Sequence, residues 1–212
     1  MKVFIAGATG RVAKYVIENL AADGHIVYCG SRHSENIEET EQIKPVNFDL
    51  HFSKAEMAEI IKNMDAVYFL AGSRGKDLLQ TDAFGAVKLM NACEEVGIKR
   101  FIILSSIFAL EPEKWEEETS LKNITNYNIA KFFADNYLVT STDLDYTIIQ
   151  PTLLKEIEGT GNVELNPQHD GENPIHDVAA VLSTVLNMKN TYKKVIKMRS
   201  GDTPIADALS EI

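Results

Sequence analysis

The stretch Val3-Phe4-Ile5-Ala6-Gly7-Ala8-Thr9-Gly10-Arg11-Val12-Ala13 decides the fold. Its apolar start reads as a short strand and its glycines as a turn. A periodic run follows, with Val12, Val16 and Leu20 on one face, and predicts a helix from Arg11 to about Ala22. Asp23-Gly24 ends it, the glycine suiting a left-handed cap. Gly7 and Gly10 hold the first two positions of a dinucleotide turn. Gly7 lets the chain leave the strand sharply, and Gly10 puts no side chain between a pyrophosphate and the backbone. The free N–H groups of the first helical turn, from Arg11 and Val12 onward, point at that pyrophosphate with the positive end of the helix dipole. Gly7, Ala8, Thr9, Gly10, Arg11 and Val12 are therefore the expected cradle. The third position of the pattern is Ala13, where alanine is tolerated because it serves helix–strand packing.

Working outward, His25 to Cys29 reads as a second strand, parallel to the first across the helix. Gly30-Ser31-Arg32 comes next, where an NAD site places an acidic residue on the ribose hydroxyl. A hydroxyl and an arginine suit a 2′-phosphate instead, so Ser31 and Arg32 predict NADP over NAD. Val46 to Leu50 reads as a third strand. Ser53 and Glu56 form a capping box for a helix to about Asn63, and Asp65 to Leu70 reads as a fourth strand. Ligands of open parallel sheets lie beyond the carboxyl ends of the strands. That makes Asp49, Leu50, Ala71 and Gly72, with Ser73 after them, the expected adenosine and ribose walls.

Asp77 to about Val96 predicts one long helix; Gly85 inside it is unfavourable unless something packs closely there. Arg100 to Leu104 is nearly continuous in apolar residues, as a central buried strand requires, and Ser105-Ser106 ends it at the ligand edge. The polar segment Glu111 to Ser120 carries the run Glu116-Glu117-Glu118, read as solvated, and Trp115, a candidate lid. From Asn126 to about Val139 a helix carries Tyr127 and Lys131. Four residues apart, they share one face. An ammonium beside a phenol favours the phenolate, which suits a tyrosine to proton transfer near neutrality. With seven tyrosines the bare pattern arises easily by chance; its weight comes from following a dinucleotide turn and a strand ending in Ser-Ser. Asp145 to Gln150 reads as a sixth strand, stopped by Pro151-Thr152. Beyond it come a short strand at Val163-Glu164-Leu165, a helix opening at Pro174-Ile175-His176-Asp177 and running to about Met188, and a last strand from Lys194 to Met198. This tail has too little apolar content for its own core and is expected to form the far wall of a substrate cleft.

The 212 residues suit one domain, with 45% hydrophobic and 25% charged, large enough for a sizeable core. A net charge of −10 opposes nucleic acid and anionic lipid as partners. Two cysteines in apolar stretches, Cys29 and Cys93, fit reduced thiols, and neither they nor the five scattered histidines have metal-ligand spacing. With no signal peptide ahead of the first strand and no apolar run of membrane-spanning length, the expectation is a cytoplasmic protein, monomer or homodimer, with a small-molecule substrate and no metal.

Together these motifs resemble the short-chain dehydrogenase/reductase superfamily. Within it, the chain is similar to the atypical NAD(P)-binding branch, the NAD-dependent epimerase/dehydratase-like and NmrA-like proteins. The resemblance runs from Gly7-Ala8-Thr9-Gly10 through Asp49-Leu50, Leu70-Ala71-Gly72, Asp82 with Gly85, Leu104-Ser105-Ser106, Tyr127 with Lys131 and Pro151-Thr152 to His176-Asp177-Val178-Ala179. It implies a Rossmann-type doubly wound parallel sheet, three-layered α/β/α, with a small C-terminal substrate-side extension. It implies Tyr127 as acid/base, Lys131 on the nicotinamide ribose, and Ser106 rather than Ser105 on the substrate oxygen, leaving Ser105 with Pro151 and Thr152 on the cofactor. The activity expected is NADP(H)-dependent reduction of a small carbonyl, or oxidation of the alcohol. The rivals are a non-catalytic NAD(P) sensor and a sugar epimerase or dehydratase with tightly held cofactor.

Overall fold

The computed structural model describes residues 1–118 and 120–212. Ten strands and seven α-helices alternate along it. The first half holds β1 (Lys2–Ala6), α1 (Arg11–Ala22), β2 (Ile26–Ser31), β3 (Ile43–Asn47), α2 (Lys54–Ile61), β4 (Ala66–Phe69), α3 (Ala86–Glu95) and β5 (Arg100–Leu104). Then come α4 (Lys114–Glu117), α5 (Thr125–Ser141), β6 (Asp145–Pro151), β7 (Leu153–Lys155), β8 (Asn162–Leu165), β9 (Glu172–Pro174), α6 (Ile175–Thr184), β10 (Lys194–Pro204) and α7 (Ile205–Ser210). Eight strands form one sheet in the order β3-β2-β1-β4-β5-β6-β10-β8. It is parallel throughout except where β8 pairs antiparallel with β10. The order from β3 to β6 is that of a doubly wound dinucleotide fold, and its switch point lies between β1 and β4.

Alternation along β1 shows how the layers form. Val3 and Ile5 join a core with Val12, Val16 and Leu20 of α1 and with Val178, Val181 and Leu182 of α6. Phe4 and Ala6 face the other layer, where α2, α3 and α5 bring Met57, Leu89 and Leu138. A strand buried on both faces needs apolar residues at every position, which is why β1, β4 and β5 read as unbroken apolar runs.

Three expectations change, and the path of the tail becomes explicit. The third strand lies at Ile43–Asn47, earlier than Val46 to Leu50, because an edge strand can accommodate Pro45, which has no N–H to give. The single helix from Asp77 is two segments: π-helical from Leu78 to Gly85, then α3. The close packing Gly85 demanded is present, since a Cβ there would lie 2.9 Å from the Gln80 carbonyl and 3.0 Å from Leu50 Cβ. The glutamate run is not uniformly solvated, for Glu118 is buried and accepts from the Asp170 N–H and meets His169 Nδ1 at 3.3 Å. Most of the tail extends the main sheet through β10 and β8, and α6 packs in the core against α1.

Candidate cofactor and active site

Two cavities open along the carboxyl edge of the sheet. One, of about 360 Å³, lies beyond β2; the other, of about 350 Å³, lies beyond β5. They share Gly10, Leu70, Ala71, Gly72 and Arg74, so they form one trough crossing the switch point between β1 and β4. Gly7 turns the chain at φ +89°, and a Cβ there would sit 2.6 Å from the backbone of Ala71. The Gly7 and Ala8 N–H groups both donate to the Gly30 carbonyl, at 3.0 and 3.1 Å, which fixes the turn and leaves the first turn of α1 facing the trough. An elongated ligand with negative charge at its middle fits this shape.

The β2 cavity gathers Gly7, Thr9, Ser31, Arg32, Asp49, Leu50 and Ser73 of the expected cofactor residues. The Ser31 hydroxyl lies 3.2 Å from that of Thr9 and accepts from the His33 N–H at 3.1 Å. Ala8 is the exception: it is buried under the turn and lines neither cavity, so its part is to shape the loop. The sequence reading passed over Arg74, Lys76, Asp77 and Thr81, which also line this cavity. Hydrogen bonds from Thr81 and from His51 hold the Asp77 carboxyl below its usual range. Asp82, fully buried, accepts from the Ser73 N–H at 3.0 Å and so fixes the loop that carries Arg74. Its place within the resemblance was the only signal for it.

The β5 cavity brings together Arg11, Val12, Ser105, Ser106, Tyr127, Lys131, Pro151 and Thr152. Lys131 is buried along α5. Its Nζ donates to the Leu104 carbonyl at 3.1 Å and lies 5.6 Å from the centre of the Tyr127 ring. Ser105 and Ser106 part company: the Ser105 hydroxyl donates to Asp135 Oδ2 at 2.6 Å, while among the described residues no such bond holds the Ser106 hydroxyl. Gln150 Nε2 donates to the same Asp135 oxygen at 2.9 Å. Burial pushes the Asp135 carboxyl up to about 6, against the opposing pull of those two bonds and of the Lys131 charge. Asp135 follows Lys131 by four residues, a spacing that could have found it. Thr152 donates both its N–H and its hydroxyl to Asn173 Oδ1, at 2.9 and 2.8 Å, tying the cavity floor to β9. Trp115 is no lid. Its Nε1 donates to the Phe108 carbonyl at 2.9 Å and it supports Ile107 and Leu121 from behind. Among the described residues no helix is long and apolar enough to cross a membrane, and no cluster of three metal-ligating side chains occurs.

A doubly wound sheet with a glycine turn and a two-chambered trough at its switch point defines a dinucleotide-binding class of protein. The chain belongs to the NAD(P)H-binding family, whose model matches residues 7–189. It is similar to the oxidoreductase YlbE of Lactococcus lactis, with 43% identity and a TM-score of 0.96, covering 100% of this chain and 96% of that one. A sugar epimerase of Bacillus subtilis, YhfK, itself uncharacterised, is 35% identical over 221 residues, 100% of each chain. A short-chain dehydrogenase/reductase of Veillonella parvula, solved with NADP, shares the fold at 17% identity and a TM-score of 0.78, covering 95% of each chain.

Proposed function

We propose that the protein is an NADP(H)-dependent oxidoreductase of the short-chain dehydrogenase/reductase type, acting on a small carbonyl compound or its alcohol. One observation carries the reading: Tyr127 and Lys131 share a cavity with Ser106, and that cavity is continuous with the glycine turn. The trough fits a dinucleotide laid across the switch point, with the adenosine end among Ser31, Arg32, Asp49 and Leu50 and the nicotinamide end beside Tyr127. Bound cofactor supplies a hydride to the carbonyl carbon, or takes one from the alcohol. Tyr127 supplies the matching proton as the C=O electron pair moves to oxygen, and Ser106 orients that oxygen. Lys131, held by Leu104, keeps two protons for the nicotinamide ribose and the rim of the phenol. Ser31 and Arg32, a hydroxyl and a cation at the end of β2 where an NAD site carries an acidic residue, support a 2′-phosphate and hence NADP.

Tyr127→Phe removes the proton donor and nothing that touches the phosphates. The expected result is a fall in kcat/KM of about 10²–10⁴-fold, with NADPH affinity nearly unchanged in a fluorescence titration. Undiminished turnover in that variant overturns the assignment. The name of the Bacillus subtilis relative favours one rival, a sugar epimerase that recycles its cofactor. That rival requires protein purified with NAD still bound, which extraction and absorbance would reveal.

A further inference from the structure

The β5 cavity has two unlike sides. Its floor carries the polar groups described above. Its outer wall and mouth are largely hydrocarbon, from Ile107, Leu121, Ile124, Leu153 and Leu154, with Ser120 the polar residue beside them. Ile107 and Leu121 belong to a small buried cluster braced by Trp115. Ile124 and Leu153 stand 39% and 50% exposed, so large apolar surface remains open at the mouth.

Three cations line this cavity, Arg11, Arg74 and Lys131, and two of them are engaged. Arg11 pairs with Glu156 at 3.0 Å. Lys131 bonds to Leu104 at the floor. Among the described residues Arg74 is the one cationic side chain common to both cavities, so it lies where a diphosphate joining the two chambers would pass. It holds φ +54°, a conformation unfavourable for a residue with a Cβ, next to Gly75 at φ +82°. Ile107, Leu121, Ile124, Leu153 and Leu154 put no cation on the outer wall, and burying a phosphate or carboxylate against them unpaired is unfavourable. The volume is also restrictive: about 350 Å³, near the lower end for ligand sites, must take the nicotinamide end of the cofactor as well as the substrate.

Resting on the oxidoreductase reading, we infer that the substrate is an uncharged, largely apolar carbonyl compound the size of one substituted ring. Its oxygen meets the Tyr127 and Ser106 hydroxyls, and its carbon skeleton lies against Ile107, Leu121, Ile124 and Leu153. A nucleotide sugar or phosphorylated sugar would set its charge against this apolar wall.

A matched pair tests this: 4-methylbenzaldehyde and 4-carboxybenzaldehyde, alike in shape and different in charge. Binding of each to protein saturated with NADP⁺, where no reduction can occur, is read from the fluorescence of Trp115, the chain's single tryptophan. Turnover with NADPH is measured separately. The methyl compound is expected to bind at least about tenfold tighter, because the carboxylate loses its water without gaining a partner. Ile124→Lys, at an exposed position on the mouth, should narrow or reverse that preference while the circular dichroism spectrum stays the same. Equal or tighter binding of the carboxylate, or no saturable binding of the methyl compound, overturns the inference. If the binding preference holds and neither aldehyde is reduced, the reductase reading fails and the account of the cavity stands. If NADP⁺ itself does not bind, both fall.

Discussion

Asp135 shows how much one side chain can conceal from a sequence. It lies on the same helix as Tyr127 and Lys131, is fully buried, and its Oδ1 has no hydrogen-bond partner among the described residues. Burial raises its carboxyl from the ordinary 3.8 to about 6. Between those values the native state holds a proton that the unfolded chain has released. Stability is therefore lost as pH rises from about 4 through 6, and the loss is complete above that. Asp135→Asn keeps an acceptor for Ser105 and Gln150 without the charge. It should match the native protein near pH 4 and exceed it at pH 7.5, by something on the order of 3 kcal/mol; melting curves across that range decide it. The opposite trend would mean that the carboxylate's bonds outweigh its burial. Arg32→Ala makes a second residue-scale prediction. Loss of a charge-assisted bond to a 2′-phosphate should weaken NADPH by about tenfold or more and leave NADH unaffected. What was legible at this scale was placement that depends on spacing alone: Gly7 and Gly10 in one tight turn, Tyr127 and Lys131 at one cavity. Asp82 acts through burial and a bond to Ser73 nine residues back, Arg74 only lines the trough, and the i, i+4 spacing of Asp135 from Lys131 gave no hint of its burial or of Gln150.

At the scale of elements, legibility followed the strength of the local signal. α1 begins and ends where its apolar period and Gly24 placed it, and α2 carries the expected capping box, with Ser53 bonded to the Glu56 N–H and Glu56 to the Ser53 N–H. Removing that cap by Ser53→Ala should cost about 1 kcal/mol, read as a lower urea midpoint at unchanged slope. The π-helical stretch from Leu78 to Gly85 was invisible because its cause is tertiary. Gly85 lets the wide turn sit against Leu50, and Asp82 reaches the Ser73 backbone from inside it. β7, β9 and α7 were missed for a simpler reason, since elements of three to six residues carry too little period to read. The turn at Gly7 makes the sharper forecast. A side chain there meets both an unfavourable φ and the Ala71 backbone at 2.6 Å, so Gly7→Ala should displace the loop beyond β4 and abolish dinucleotide binding by calorimetry.

Across the whole molecule, the question is why the tail belongs to the same body as the nucleotide-binding half. Its apolar residues are too few for a core of their own, and the structure shows where they go: Val178, Val181, Leu182 and Ile196 complete the layer begun by α1. Arg100, which in sequence merely opens the fifth strand, fastens the join. It is buried with no carboxylate paired to it among the described residues, and burial lowers its pKa. Its guanidinium instead donates to carbonyls at Leu186, Val185 and Asp145 and to the Thr147 hydroxyl, at 3.3, 2.5, 2.8 and 2.8 Å. Two of those carbonyls, from Val185 and Leu186, close the chain that follows α6, so one side chain ties β5 and β6 to the tail. Tyr192 lies against the same guanidinium, 4.3 Å from ring centre to Cζ. Truncation by Arg100→Ala strands these acceptors in the interior and should cost about 3 kcal/mol or more. If the tail is integral, urea unfolding of the variant followed by far-ultraviolet circular dichroism and by Trp115 fluorescence must shift together, as one transition. A tail that melts first, leaving the dinucleotide half folded, would show that the sheet from β3 to β6 stands alone and that β10 and α6 are an addition to it.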